Sequence, residues 1–203
     1  MVLYRKRQMF SGLSIKVGMV FSKAGLAPNH WTMLVILPTL ASLYFILQRQ
    51  FLVAAAFLLV SAFLDFVDGS VARVMGKVTK FGAYLDTVMD RYVEALILFG
   101  LLFIGLPDFY LPAYVWIFLF FFGSFMTTYA KSAAKEKELT DKELSGGLLE
   151  RGERLIILFV GILLAYFSLS YLTYTIAILA VLTNVTALQR IKIAATSARK
   201  KIG

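Results

Sequence analysis

The chain has 203 residues, of which 60% are hydrophobic and 15% aromatic, with no cysteine and a formal net charge of +9. Soluble domains sit nearer half apolar with about a quarter charged residues, so this composition excludes an ordinary globule. It also excludes a disulfide framework or a thiolate metal site.

The opening stretch, MVLYRKRQMFSGLSIKV, has a basic cluster but no apolar run followed by a small-residue cleavage site, and no signal peptide is expected. Met9, Phe10, Leu13, Val17, Val20 and Phe21 recur at helical spacing with lysines and arginines between them. That pattern predicts an amphipathic helix over residues 1–28 lying in the membrane interface. Six apolar segments follow, each read as a transmembrane helix. They cover Trp31–Gln48, Phe51–Val71, Gly82–Leu106, Pro112–Tyr129, Leu155–Phe167 and Tyr171–Arg190. The fifth is short and should begin earlier, within LLERGER. Pro38 should kink the first, and Pro107 and Pro112 bracket the turn between the third and fourth. The one long linker, Lys131–Leu149, mixes Lys135, Lys137 and Lys142 with Glu136, Glu138, Asp141 and Glu143, a solvated mixed-charge face. The expectation is an all-α integral membrane protein forming one domain over 1–203, with a six-helix bundle in residues 29–203.

Orientation follows from the basic residues. With a cytoplasmic N-terminus, that side holds Arg5, Lys6, Arg7, Lys16 and Lys23, then Arg73, Lys77 and Lys80. It also holds Lys131, Lys135, Lys137, Lys142, Arg151 and Arg154, and finally Arg190, Lys192, Arg199, Lys200 and Lys201. These are nineteen of the twenty-one lysines and arginines; Arg49 falls in an outer loop and Arg91 within the third span. Both termini are therefore expected in the cytoplasm, in a multi-pass protein of the plasma membrane whose active site faces the cytoplasm. Positive charge spread this way suits anionic head groups and phosphorylated substrates, and nucleic acid is not expected as a partner.

The segment FLDFVDGSVARVMGKVTKFGAYLDTVMDRYVEA places acids between two apolar runs. On a helix, Asp65, Asp68 and Ala72 fall within roughly a 60° arc, and Gly82, Asp86 and Asp90 share a face at i, i+4, i+8. Two antiparallel helices joined by a short turn would point four carboxylates at one another. A pair of divalent cations relieves that repulsion and suits all-oxygen ligands. Gly69, Ala72 and Gly82 clear the helix surface beside the acids, and Arg73 could reach a phosphate with its planar fork. Small residues also mark plain helix packing, but four intramembrane acids at these spacings read as functional. Glu94, one turn beyond Asp90, is read either as a further functional acid or as an arginine's partner.

A second cluster lies in TTYAKSAAKEKELTDKELSGGLLERGERLII. Lys131 ends the fourth span, Arg151 and Arg154 start the fifth on one face, and Arg190 ends the sixth. Several fixed cations at the level of the aspartates suit an acceptor that is itself a phosphate monoester. The positive-inside rule alone also predicts basic residues at these helix ends.

Written out, the acidic segment is Asp65-x2-Asp68-Gly69-x2-Ala72-Arg73-x8-Gly82-x3-Asp86-x3-Asp90, eight fixed residues over 26 positions. It resembles the signature of the CDP-alcohol phosphotransferases, with every fixed position filled, as do the six spans, the preceding helix and PNHWT at the head of the first span. The resemblance implies Asp65, Asp68, Asp86 and Asp90 as ligands of two Mg²⁺ or Mn²⁺ ions, with Asp90 also the general base. It implies that Asp65, Asp68, Gly69, Ala72, Arg73 and Gly82 border the CDP of a CDP-lipid donor, with Asn29 and Thr79 as nucleotide contacts, and a homodimer. YAKSAAKE followed by GLLERGERLII resembles the phosphatidylinositol phosphate synthases of that family and their archaeal archaetidyl relatives. It implies inositol 1-phosphate as acceptor, its phosphate bound by Lys131, Arg154 and Arg190 with help from Thr128, and Arg151 beside them. Gly152 stands where many bacterial members have proline. Glycerol 3-phosphate, serine or free inositol remain alternative acceptors, and an ion or proton transporter is a rival of another class.

Overall fold

The computed structural model describes the backbone of residues 2–140 and 147–202 and the side chains of 12–140 and 147–198. The side chains of Arg5, Lys6, Arg7, Met9, Phe10, Arg199, Lys200 and Lys201, and the linker residues Asp141, Lys142 and Glu143, lie outside the described residues. The elements are α1 (Val2–Ser22), α2 (Pro28–Leu34), α3 (Ile36–Leu47), α4 (Phe51–Val74), α5 (Lys80–Leu102), α6 (Ala113–Glu136), α7 (Arg151–Leu164) and α8 (Leu169–Ile202). Among the described residues the only β pairing is an isolated bridge between Phe109 and Leu111.

Among the described residues, four stretches are long and apolar enough to cross a membrane: Pro28–Leu47, Phe51–Val74, Ala113–Glu136 and Leu169–Ala198. The two other predicted spans are helical but differ in character. α5 has 23 residues yet carries Lys80, Asp86, Asp90, Arg91 and Glu94. α7 starts at Arg151, inside LLERGER as expected, and its 14 residues rise about 21 Å, short of a hydrocarbon core of about 30 Å. The first predicted span is two helices meeting at Val35. Pro38 explains the break: it has no N–H to give the Leu34 carbonyl four residues back, and the ladder resumes with Thr39 N donating to Val35 O at 3.3 Å. α8 runs well past Arg190, through a polar extension.

The chain divides into two compact units, Met1–Gln48 with Val53–Ile97, and Arg49–Leu52 with Leu98–Gly203. In the first unit α1 lies directly against α4. A Cβ at Gly18 would stand 2.5 Å from both the Ser70 carbonyl oxygen and Val74 Cγ2, so only glycine permits this approach. Val17 and Phe21 pack with Trp31, Val67 and Val71 in a small core, while Leu13, Ile15, Met19 and Val20 remain exposed. Buried hydroxyls are satisfied within the same unit: Thr39 and Ser61 share a bond of 2.8 Å and Ser42 donates to the Ala54 carbonyl at 2.8 Å.

In the second unit α6 and α8 pack through Gly123, where a Cβ would collide with Thr183 and Asn184. Asn184 Nδ2 donates to the Leu119 carbonyl at 2.8 Å across that contact. α7 meets α8 at Gly161, where a Cβ would lie 2.7 Å from Thr175 Cγ2. Phe120, Leu158, Ile162, Leu172, Ile176 and Leu179 are fully buried.

Candidate active site

α4 stops because Gly76 turns left-handed, at φ +63°, a conformation that costs a side chain but not glycine. The Lys77 amide donates to the Ala72 carbonyl at 2.9 Å and the Gly76 amide to Arg73 at 3.3 Å, the pattern of a Schellman closure. α5 starts at Lys80, so the acids of two consecutive helices meet across a short turn. One carboxylate oxygen each from Asp65, Asp68 and Asp86 lies within 4.8 Å of the other two. Asp68 is buried, with the Thr32 hydroxyl in hydrogen-bonding reach. Its Oδ2 is buried without a hydrogen-bond partner among the described residues.

An orphaned carboxylate oxygen costs free energy unless something else compensates it. Three anionic oxygens at this spacing form the all-oxygen set that a hard divalent cation takes. The residues therefore fit a metal. Asp90, one turn beyond Asp86, is buried as well but stands outside the trio. Glu94 is Arg91's partner, accepting from Nη1 at 2.6 Å.

Beside the trio opens a cleft of about 300 Å³, lined by Pro28, Asn29, Thr32, Asp68, Gly69, Ala72, Arg73, Lys77, Val78, Thr79, Gly82, Ala83 and Asp86. Thus Asn29, Gly69, Ala72, Arg73, Thr79 and Gly82 all border one space. The glycines shape it. A Cβ at Gly82 would come within 3.1 Å of Thr79 Oγ1 and 3.2 Å of Asn29 Oδ1, and one at Gly69 within 3.2 Å of Arg73 Nη1. The Gly82 amide also donates to Thr79 Oγ1 at 2.9 Å, fixing that hydroxyl at the start of α5.

The second unit holds the basic cluster. Arg154 is 2% exposed and Arg190 9%. Both converge on Thr127: Arg154 Nη1 donates to its hydroxyl oxygen at 2.8 Å and Arg190 Nη1 to its carbonyl at 2.7 Å. The Thr127 hydroxyl donates in turn to the Ser124 carbonyl at 2.7 Å. Two guanidinium groups that meet in a buried place on one threonine offer planar, fixed donor forks of the kind that recognise a phosphate. Lys131, one turn along α6 from Thr127, is half-buried, as are Arg151 and Thr128. α7 is anchored at its start, where the Glu150 amide donates to Glu153 Oε2 at 2.8 Å. The Leu148 and Leu149 amides bond Gln189 Oε1 at 3.0 Å and Thr186 Oγ1 at 3.2 Å on α8. Gly152 faces open space.

Three contributors escaped the sequence reading. Thr32 and Lys77 line the aspartate cleft, and the hydroxyl that Arg154 bonds is Thr127's, with Thr128 one position on. Thr32 could have been found from PNHWT, since it lies one turn from Asn29 and shares its helix face. Adjacent threonines give no such clue, because only the packing of α6 decides which turns inward.

A model of the CDP-alcohol phosphatidyltransferase family matches residues 25–192. An archaetidylinositol phosphate synthase of Pyrococcus horikoshii is 38% identical over 178 residues, covering 87% of this chain and 87% of that protein. A phosphatidylinositol phosphate synthase of Mycobacteroides abscessus is 32% identical over 149 residues, covering 67% of this chain and 62% of its own length. Among solved structures, Mycobacterium tuberculosis phosphatidylinositol phosphate synthase in complex with manganese and citrate is similar with a TM-score of 0.80 at 27% identity. It covers 90% of this chain and 89% of that one. The same enzyme with CDP-DAG bound gives 0.77 at 25% identity, covering 89% and 92%.

Proposed function

Since this chain belongs to the CDP-alcohol phosphatidyltransferase family, we propose that it transfers the phosphatidyl or archaetidyl group of a CDP-lipid to inositol 1-phosphate, releasing CMP. The observation that carries the donor half is the aspartate trio beside a glycine-walled cleft. The buried Arg154 and Arg190 on Thr127 support a phosphorylated acceptor over serine or free inositol, and the relatives named above favour inositol 1-phosphate over glycerol 3-phosphate.

Two divalent ions, Mg²⁺ or Mn²⁺, held by Asp65, Asp68, Asp86 and Asp90, would neutralise the pyrophosphate and make CMP a better leaving group. The chain's own residues do the rest. Gly69, Ala72 and Gly82 let the nucleotide lie against the helix backbones, with Asn29 and Thr79 at its polar edge. Arg73 orients a phosphate. Lys131, Arg151, Arg154 and Arg190, with the threonine pair, bind the acceptor phosphate. Asp90 takes the proton of the inositol hydroxyl as its oxygen attacks the lipid-side phosphorus. The bond from that phosphorus to the CMP oxygen breaks, the lipid keeps its phosphorus, and CMP leaves with the electron pair.

The same reading covers the chain as a single domain crossing the membrane six times. α5 and α7 are then the two spans that trade apolarity or length for the site. α1 lies in the interface, where its exposed Leu13, Ile15, Met19 and Val20 meet lipid. The distribution of basic residues supports both termini and the active site lying on the cytoplasmic side of the plasma membrane, and the enzyme works as a homodimer.

The test is CMP release by purified protein in detergent with CDP-diacylglycerol or CDP-archaeol and Mg²⁺. Inositol 1-phosphate, glycerol 3-phosphate, free inositol and serine are supplied in parallel, and Asp90→Asn is the control. Release with inositol 1-phosphate alone, lost in the variant, is the expected result. Release with glycerol 3-phosphate would overturn the acceptor, and ion flux through liposomes without CMP would overturn the enzyme.

A further inference from the structure

Arg73 borders the donor cleft, but one edge of its guanidinium is already taken. Its Nε and Nη2 donate to Ser14 Oγ on α1 at 3.2 and 2.7 Å, and Nη2 also reaches Ser70 Oγ at 3.4 Å. The proton positions of this group follow from its partners. Ser70 donates to the Phe66 carbonyl at 2.8 Å, so the 2.9 Å bond between the two serines takes its proton from Ser14. Ser14 therefore accepts twice from Arg73 and donates once to Ser70, which uses all its capacity. Both serines are buried, with Ser14 7% and Ser70 0% exposed.

The other edge of the guanidinium points elsewhere. Nη1 is the atom nearest a Cβ built on Gly69, at 3.2 Å, and it makes no hydrogen bond among the described residues. Gly69 and Arg73 both line the cleft. The fork is thus split: Ser14 holds one edge, and the other edge is presented over Gly69.

From this geometry we infer that Ser14 is a positioning residue of the donor site, through which α1 holds Arg73 with Nη1 turned to a phosphate of the CDP-lipid. The inference rests on the donor reading proposed above. A free arginine would have to order several torsions on binding, at a cost in side-chain entropy; here that cost is met in folding. Gly18 belongs to the same device. It lets α1 approach the α4 backbone at Ser70, one turn further along the face that carries Ser14. The helix that reads as a membrane anchor thereby acts on the donor site through Arg73, without lining the cleft itself.

The experiment compares wild type, Ser14→Ala and Ser14→Thr by CMP release with inositol 1-phosphate. Binding of CDP-diacylglycerol in detergent with Mn²⁺ is followed by calorimetry, and thermal unfolding serves as the folding control. Ser14→Ala should raise both the donor KM and the donor Kd about tenfold, with the acceptor KM unchanged and the unfolding midpoint near that of wild type. Ser14→Thr, which keeps the hydroxyl, should recover most of the loss. In an Arg73→Lys background, Ser14→Ala should add little, because the two act as one unit. A wild type that releases CMP while Ser14→Ala keeps wild-type donor KM and Kd would overturn the inference and leave the proposed function standing. A wild type that neither binds the donor nor releases CMP would overturn the proposed function itself. If Ser14→Ala unfolds, Gly18→Ala decides through the same donor Kd in folded protein: an unchanged Kd overturns the inference.

Discussion

At the residue scale the site rests on groups that are costly to bury alone. In the proposed reading, a metal ion at the orphaned Oδ2 of Asp68 would be a structural partner as well as a catalytic one. Saturating Mn²⁺ should therefore raise the unfolding midpoint of the wild type by several degrees, since a ligand at 100 times its Kd contributes about 2.7 kcal/mol. Asp68→Asn should lose that response, and a thermal shift assay with and without chelator reads both. Arg154 offers a complementary case. Its bond to Thr127 takes one edge of a rigid fork, and lysine has no fork to share between threonine and ligand. Arg154→Lys should raise the KM for inositol 1-phosphate by about tenfold or more and leave the donor KM alone, which steady-state kinetics with each substrate varied would show.

At the element scale, helix ends and glycines decide the geometry. α6 closes as α4 does, with the Leu139 amide on Ala134 at 3.0 Å and the Glu138 amide on Lys135 at 3.1 Å. The left-handed residue, however, is Glu138 at φ +53°. Glu138→Gly should stabilise the protein by about 0.5–1 kcal/mol in chemical or thermal unfolding. Gly123→Ala should do the reverse, by about 1–3 kcal/mol, because its Cβ would strike Thr183 and Asn184. The elements themselves were largely legible in the sequence. The i, i+3 and i, i+4 spacing of Asp65, Asp68, Asp86 and Asp90 is enough to predict a shared face, and the residues that border the cleft follow from it. The break at Val35 was legible through Pro38, though it falls three residues earlier, where the missing amide acts. What hydropathy overstates is the uniformity of the predicted spans: α5 carries Lys80, Asp86, Asp90, Arg91 and Glu94, and α7 is only 14 residues long. Ser14, Ser70 and Thr127 were beyond sequence reading, because a serine or threonine in an apolar helix looks the same whether it back-bonds its own helix or holds an arginine of another.

At the scale of the whole molecule, topology is the property most open to test. The chain has no cysteine, so single cysteines report without background. Tyr110 is 94% exposed in the loop before α6, and Lys137 is exposed at that helix's other end. A membrane-impermeant maleimide on intact cells should label Tyr110→Cys and spare Lys137→Cys until the membrane is opened. The opposite pattern would invert the orientation.

The segregation of the two clusters along the chain carries one more consequence. The residues placed at the nucleotide and the metal belong to the unit made of Met1–Gln48 and Val53–Ile97, and those placed at the acceptor phosphate belong to Leu98–Gly203. In the proposed reading, donor chemistry and acceptor choice are therefore written in different stretches of sequence. A lineage could change the alcohol it esterifies by substitutions after Leu98 alone, keeping the pyrophosphate machinery untouched. Divergence of head-group specificity in such a chain would need no change in the residues that hold the nucleotide.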